Sequence, residues 1–374
     1  MGLVATSRSP DIHFRIHPID PGASETAAVA DINRDGRLDI VSGDAWYAAP
    51  LWSRHVFRAL DFSSNYIDAF SDLPIDVDSD GYPDLVTATW FARKLSWWKN
   101  PGKGGRAFGS SEQAWTEHVI DTGSPVEFAF LVDLDNDGRP NDLLPQFGSP
   151  KTPLAWYELR DGAWIKHVVS AQSYGHGIGA GDVNRDGRTD ILTPRGWFDA
   201  PADPRSEAWT HRAAWDEKMP LGFLYATDVN GDGRTDVLTT SAHDYGIIWY
   251  EQQPGGQFVR HVADESWSQA HASALVDLNG DGRLDLITGK RYMAHNGKDP
   301  GEREPLGVYW YEHRIGPSRR VEWIRHLIDY GGRVGGGMQI PVVDIDGDGD
   351  LDLVCAGKSG LFLVENQTVK GRKK

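Results

Sequence analysis

One motif constrains this chain more than any other. The pattern D-x-[DN]-x-D-G occurs seven times, starting at Asp31, Asp76, Asp133, Asp182, Asp228, Asp277 and Asp344. Successive copies lie 45 to 67 residues apart. An apolar run precedes each copy and a strand-like run follows it, so each reads as strand, tight loop, strand. Two further signals share the period. Aromatic pairs mark a third strand (Trp97-Trp98, Trp156-Tyr157, Trp249-Tyr250, Trp310-Tyr311). An aromatic residue shortly before a histidine marks a fourth (Trp52/His55, Trp115/His118, Trp164/His167, Trp209/His211, Phe258/His261, Trp323/His326). Four strands in ~40–50 residues is the size of a propeller blade. Phe14 to His17 matches the fourth strand but precedes the first loop. Leu361 to Asn366 matches the third and has no fourth after it. The expectation is an all-β, seven-bladed β-propeller. One domain spans residues 1–374, and the N-terminal strand closes the ring in the last blade, hiding sheet edges.

Composition excludes several classes. The net charge of −16 disfavours a nucleic-acid partner, which requires a basic surface. Apolar runs are only a few residues long, so no membrane span is expected. Met1 to Pro10 has no apolar core and does not read as a signal peptide. The single cysteine, Cys355, rules out an internal disulfide framework.

Each acidic loop offers oxygens at positions 1, 3, 5 and 9, with glycine at position 6 for the sharp turn. Calcium prefers such an all-oxygen set. The expected calcium ligands are Asp31, Asn33, Asp35 and Asp39, then Asp76, Asp78, Asp80 and Asp84. Asp133, Asp135, Asp137 and Asp142 follow, then Asp182, Asn184, Asp186 and Asp190. The last three sets are Asp228, Asn230, Asp232 and Asp236; Asp277, Asn279, Asp281 and Asp285; and Asp344, Asp346, Asp348 and Asp352. The third loop departs from the rule, because Asn141 stands at position 9 and Asp142 follows it. Several structural calcium ions are expected, pinning hairpins and quenching carboxylate repulsion. Some loops can instead be metal-free Asx-turns. The loops and their period resemble the FG-GAP/VCBS repeat family, which implies a calcium-loop propeller but not a particular function.

Of the 13 histidines, seven recur at the same strand position and read as scaffold. His176, His243, His271 and His295 break the repeat. Alignment on the first Asp of each loop gives their phase. Six residues upstream stand Glu25, Glu127, His176 and His271, at the start of the innermost strand. Near the end of the second strand stand Arg195, His243, Lys290 and Tyr292. Both places lie on the face opposite the acidic loops. The expected catalytic set is therefore His176, His243, His271, Tyr292, Arg195, Lys290 and His295. Glu127, His176 and His271 could hold Zn²⁺ or a similar ion. The alternative is a polar channel without chemistry. Trp46, Trp197, Trp90, Trp215 and Trp267 are candidate sugar-facing aromatics or, equally, interblade packing.

The stretches around His176, His271, Lys290–Gly297 and Ala356–Gly360 resemble the propeller domain of aldos-2-ulose (1,5-anhydro-D-fructose) dehydratases. That resemblance implies a carbon–oxygen lyase eliminating water or a glycosidic oxygen next to a keto or uronate group of a sugar. His176, His271 and Glu127 would surround a metal or enolate oxygen, His243 or Tyr292 would act as base or acid, and Arg195 and Lys290 would bind oxyanions. Alternatives are an ulvan-type polysaccharide lyase, and a non-catalytic calcium-dependent propeller binding carbohydrate or protein. Calcium-type loops suit an extracellular or periplasmic setting, where the ion is abundant.

Overall fold

A computed structural model describes residues 12–22, 24–104 and 114–368. The segment Met1 to Pro10, read above as carrying no signal peptide, lies outside the described residues. The chain is a β-propeller; among the described residues the only helical pieces are two single 3₁₀ turns.

Each of the seven acidic loops joins the first two strands of a four-stranded antiparallel unit. Five units stand as separate sheets. The expected seven separate blades must be corrected at the fourth and fifth. There, Ile178–Gly181 and Leu221–Thr227 pair in parallel, and the two units merge into one eight-stranded sheet. The cause is legible in the residues. Gly177, Gly179 and Gly181 line the approach, and a Cβ on Gly179 would lie 2.0 Å from the Leu224 carbonyl oxygen. Without side chains there, the two innermost strands close to hydrogen-bonding distance. In the last sheet, Phe14–Asp20 pairs antiparallel with Gly360–Asn366, so the first and last described strands build it together.

The aspartate at loop position 9 fastens each unit internally. Asp39 is fully buried; its Oδ2 accepts the Ile32 N–H at 3.0 Å and its Oδ1 the Ala49 N–H at 2.9 Å. Asp84, Asp190, Asp236 and Asp352 repeat both bonds. In the third loop the extra residue shifts this role to Asp142, which accepts from Leu134 at 2.8 Å. Burial pushes all seven carboxyls up, Asp39, Asp84 and Asp236 to about 6, and Asp142, Asp190, Asp285 and Asp352 to about 7.

The recurring histidines are scaffold. His118, His167, His261 and His326 stack on Trp97, Trp156, Trp249 and Trp310 with centroids 4.1–4.4 Å apart. His167, His261 and His326 also meet Glu158, Glu251 and Glu312 at 2.8–3.0 Å. Between the sheets lie apolar clusters, one built on Phe128, Leu144, Trp156, Ile191 and Phe198. Trp215 and Trp267 belong to this packing; Trp215 stacks on Tyr250 at 5.1 Å, and the Trp267 Nε1–H donates to the Tyr311 hydroxyl at 2.6 Å.

Candidate functional site

The first strands begin, and the second strands end, on the face away from the acidic loops. Glu127 lies near the start of Val126–Val132, while His176 and His271 sit just before Ile178–Gly181 and Ser273–Val276. His243 follows the end of Asp236–Ser241. The ring geometry brings one ligand atom of each of these four residues within 4.8 Å of one another.

Glu127 is the hub and is buried. Its Oε2 lies 2.8 Å from His176 Nε2, and its Oε1 lies 3.3 Å from His271 Nε2 and 3.5 Å from His243 Nε2. His176 Nε2 and His243 Nε2 are 3.2 Å apart. His176 Nδ1 donates to the Leu221 carbonyl at 2.6 Å, and His243 Nδ1 faces Asp299 Oδ2 at 3.1 Å. Both rings therefore turn Nε2 inward, where a proton or a metal ion must lie between that nitrogen and the Glu127 carboxylate or the facing ring. Burial alone would raise Glu127, but His176, His243 and His271 outweigh it and hold the carboxyl well below its usual range. Burial and then Arg291 push His271 well down. His243 goes the other way: burial lowers it, but Asp299 and Glu127 together hold it above the ordinary value.

Arg291 lies beneath this cluster. Its guanidinium forks onto Glu25 at 3.0 and 3.1 Å, and its Nη1, 3.5 Å from Glu127, has no hydrogen-bond partner in the structure. Lys358 stands nearby, its Nζ donating to the Met293 carbonyl at 2.6 Å and lying 3.7 Å from the centre of the Tyr66 ring. A cavity of about 340 Å³ opens beside the cluster. One wall is aromatic, with Tyr66, Phe70, Trp90 and Phe91; the other carries Glu127, Arg291, His295 and Lys298. Gly148 makes room for this wall, since a Cβ there would lie 2.2 Å from the Trp90 ring.

The structure thus brings together Glu127, His176, His243 and His271, with His295 on the cavity wall. It does not bring in three expected members. Lys290 donates to Ser268 Oγ at 2.9 Å and Ser268 O at 3.2 Å and faces Glu304, in a separate cavity of about 730 Å³. Arg195 is exposed and pairs with Asp216 at 3.5 Å. Tyr292 is exposed and does not line the cavity. Sequence reasoning missed Arg291, Asp299 and Lys358. Arg291 directly follows a residue that was singled out, and a side-chain alternation argument would have turned it inward instead of Lys290.

The loops of the other face can be tested for a hard cation. Carboxylate oxygens of Asp76, Asp78 and Asp84 gather within 4.8 Å, as do those of Asp133, Asp135 and Asp142 and of Asp344, Asp346 and Asp348. An oxygen-only cradle of this kind fits calcium. Basic side chains neutralise loop acids in several loops, these included: Lys99 pairs with Asp78, Arg205 reaches Asp135 at 2.5 Å and Arg283 reaches Asp281 at 2.8 Å, and Arg188 and Arg234 pair with Asp186 and Asp232.

Comparison with known proteins agrees with this architecture. Residues 76–144 and 228–288 match the FG-GAP-like repeat model, so the chain carries FG-GAP-like repeats. Its fold is similar to that of BBS1N, solved in complex with ARL6DN, at 12% identity and a TM-score of 0.56 over 96% of this chain and 97% of that one. It is also similar to the beta-propeller domain of Cps50 (Swd1) from Myceliophteria thermophila, at 12% identity and a TM-score of 0.53 over 94% and 98%. Identity this low speaks to the fold alone. No curated protein matches the sequence. Among the described residues, no helix is long and apolar enough to cross a membrane.

Proposed function

We propose that this chain is a metal-assisted carbon–oxygen lyase acting on a sugar, eliminating water or a glycosidic oxygen next to a keto or uronate group. One observation carries the reading: three imidazole nitrogens and the Glu127 carboxylate converge beside a half-aromatic cavity. Four of the donor separations, 2.8–3.5 Å, bracket the ~3.3 Å edge of a tetrahedron with metal–nitrogen bonds of ~2.0–2.1 Å, and all four ligand atoms lie within 4.8 Å of one another. The four residues therefore fit zinc or a similar divalent ion. Such an ion, when bound, polarises a carbonyl.

The remaining chemistry belongs to the chain's own residues. His295 Nδ1 donates to Asp299 at 2.8 Å, which leaves Nε2 as the basic nitrogen of a ring on the cavity wall. That nitrogen can take the proton α to the carbonyl. As the C–H pair moves into a C=C bond and the β C–O bond breaks, the same imidazolium can return the proton to the leaving oxygen. Arg291 and Lys358 place positive charge near developing enolate charge. The aromatic wall suits the C–H face of a sugar ring. The resemblance to aldos-2-ulose dehydratases points the same way, carried by sequence stretches alone. An ulvan-type substrate is the second reading, favoured by Arg291, Lys298 and Lys358 gathered near one mouth.

The acidic loops are read as structural calcium sites, supported by the three carboxylate clusters. Calcium at that number of loops suits an extracellular or periplasmic setting.

The test joins metal counting to a product screen. The purified chain should hold about one zinc, manganese or nickel beside several calcium ions. Keto-sugars and uronate oligosaccharides should then yield unsaturated products that absorb in the ultraviolet. Calcium alone with no product from any sugar would overturn the reading and leave a binding propeller.

A further inference from the structure

We propose that Asp299 is the positioning residue of the imidazole centre: it fixes the tautomer of His243 and so sets how tightly the four donors hold a divalent transition metal. The inference rests on the metal reading above and extends it to a residue outside the donor set.

His243 has one nitrogen on each side of the problem. Nε2 faces the centre, 3.2 Å from His176 Nε2 and 3.5 Å from Glu127. Nδ1 lies 3.1 Å from Asp299 Oδ2. A carboxylate oxygen accepts, and Asp299 Oδ2 lies within hydrogen-bond reach of the Nδ1 of both His243 and His295. Nδ1 therefore carries a hydrogen, so Nε2 is the nitrogen whose lone pair is free to take a metal at the centre. His176 obtains the same orientation from the Leu221 carbonyl at 2.6 Å. His271 has no such partner, and its Nδ1 is buried without a hydrogen bond in the structure. Two of the three imidazoles are thus aimed from behind, one by backbone and one by Asp299. Acceptors behind ligand histidines raise ligand basicity and fix ring orientation.

Asp299 is itself held in place. Glu302 is buried and accepts the N–H groups of Asp299, at 3.1 Å, and of His295. This bends the segment so that Asp299 points back at His243. The His295 ring stacks on His243 with centroids 4.5 Å apart, and its Nδ1 also donates to Asp299. One carboxylate therefore orients a donor of the buried centre and the exposed ring proposed as base.

The experiment is zinc titration of the metal-stripped full chain against a competing chelator, with cobalt(II) absorption as a second readout. Asp299→Ala should weaken zinc binding ~10–100-fold and change the cobalt visible spectrum. Asp299→Asn, which keeps an acceptor without the charge, should recover part of the affinity. Wild-type affinity and an unchanged cobalt spectrum in Asp299→Ala would overturn the proposal. If wild type itself binds neither zinc nor cobalt, the metal reading fails instead, so the two failures are told apart. Should Asp299→Ala not fold, Glu302→Gln loosens the segment while sparing the carboxylate; unchanged zinc affinity in that variant also counts against the proposal.

Discussion

His176 Nε2 lies 3.2 Å from His243 Nε2, and each ring already spends its Nδ1–H on an acceptor behind it. Two lone pairs cannot face each other at that distance without a cation between them. In the metal-free protein that cation is a proton, consistent with His243 being held above its ordinary value despite burial. A raised histidine lends stability below its unfolded value, and that stability is lost as pH rises through the folded one. Zinc must displace the proton. Calorimetry at pH 6–7 in buffers of differing ionisation heat should therefore report about one proton released per zinc. Affinity should weaken as the solution is acidified. Binding with no proton release would refute this pairing.

Glu127→Gln keeps the shape of the hub and removes its charge. Three imidazoles and Arg291 then lose the carboxylate they share. Breaking one side of a buried ionic cluster costs on the order of 3 kcal/mol. The expected result is loss of bound transition metal, activity below a hundredth of wild type, and a lower thermal midpoint. Full metal content in this variant would remove Glu127 from the centre.

Trp90 walls the cavity, its ring stacked against Phe70 with centroids 6.2 Å apart. Trp90→Ala should raise KM about tenfold with kcat nearly unchanged, the signature of lost uniform binding. A fall in kcat at constant KM would instead give Trp90 a role in the reacting geometry.

Gly179→Ala tests the junction of the fourth and fifth units. The new Cβ would fall 2.0 Å from the Leu224 carbonyl oxygen, so the parallel pair must part. Overpacking of this kind costs about 1–3 kcal/mol. Denaturant melts should show that loss; a wild-type midpoint would mean that the two units do not depend on each other there.

The buried aspartates at position 9 of six loops, with Asp142 in the third, fix a pH dependence of the opposite kind to an ordinary salt bridge. Their folded values of about 6 to about 7 lie above the unfolded 3.8. Between those limits the folded chain binds more protons, so stability falls as pH rises. A calcium ion favours the ionised form and reverses that loss. The melting temperature after EDTA treatment should drop from pH 5 to pH 8, and the increment on adding calcium should grow over the same range. An increment independent of pH would show that these buried carboxyls do not feel the ion.

Much of this molecule was legible in one dimension because it repeats. The D-x-[DN]-x-D-G period fixed the strand order, and phase within the period put Glu127, His176 and His271 at equivalent points of different units. Two things escaped. The fusion at Gly177–Gly181 depends on how closely neighbouring units approach, which no period within a unit encodes. Arg195, Lys290 and Tyr292 were placed by the end of the second strand, where the chain leaves the regular sheet. A one-residue change of direction there sends the buried Lys290 to Ser268 and Arg291 to Glu25 and Glu127. Asp299 lies in an irregular segment shaped by Glu302, and no pattern announces it.

The seam of the last sheet has a consequence for the chain as it is made. Phe14–Asp20 leaves the ribosome before every strand that separates it from its partner, Gly360–Asn366. Throughout synthesis the opening strand has no sheet to join, and the growing arc ends in an open edge. Among the described residues closure is the longest-range strand pairing, and it waits until Gly360–Asn366 has been made. A nascent or prematurely terminated chain is thus an unclosed arc with a sticky rim, the form that cellular quality control would recognise.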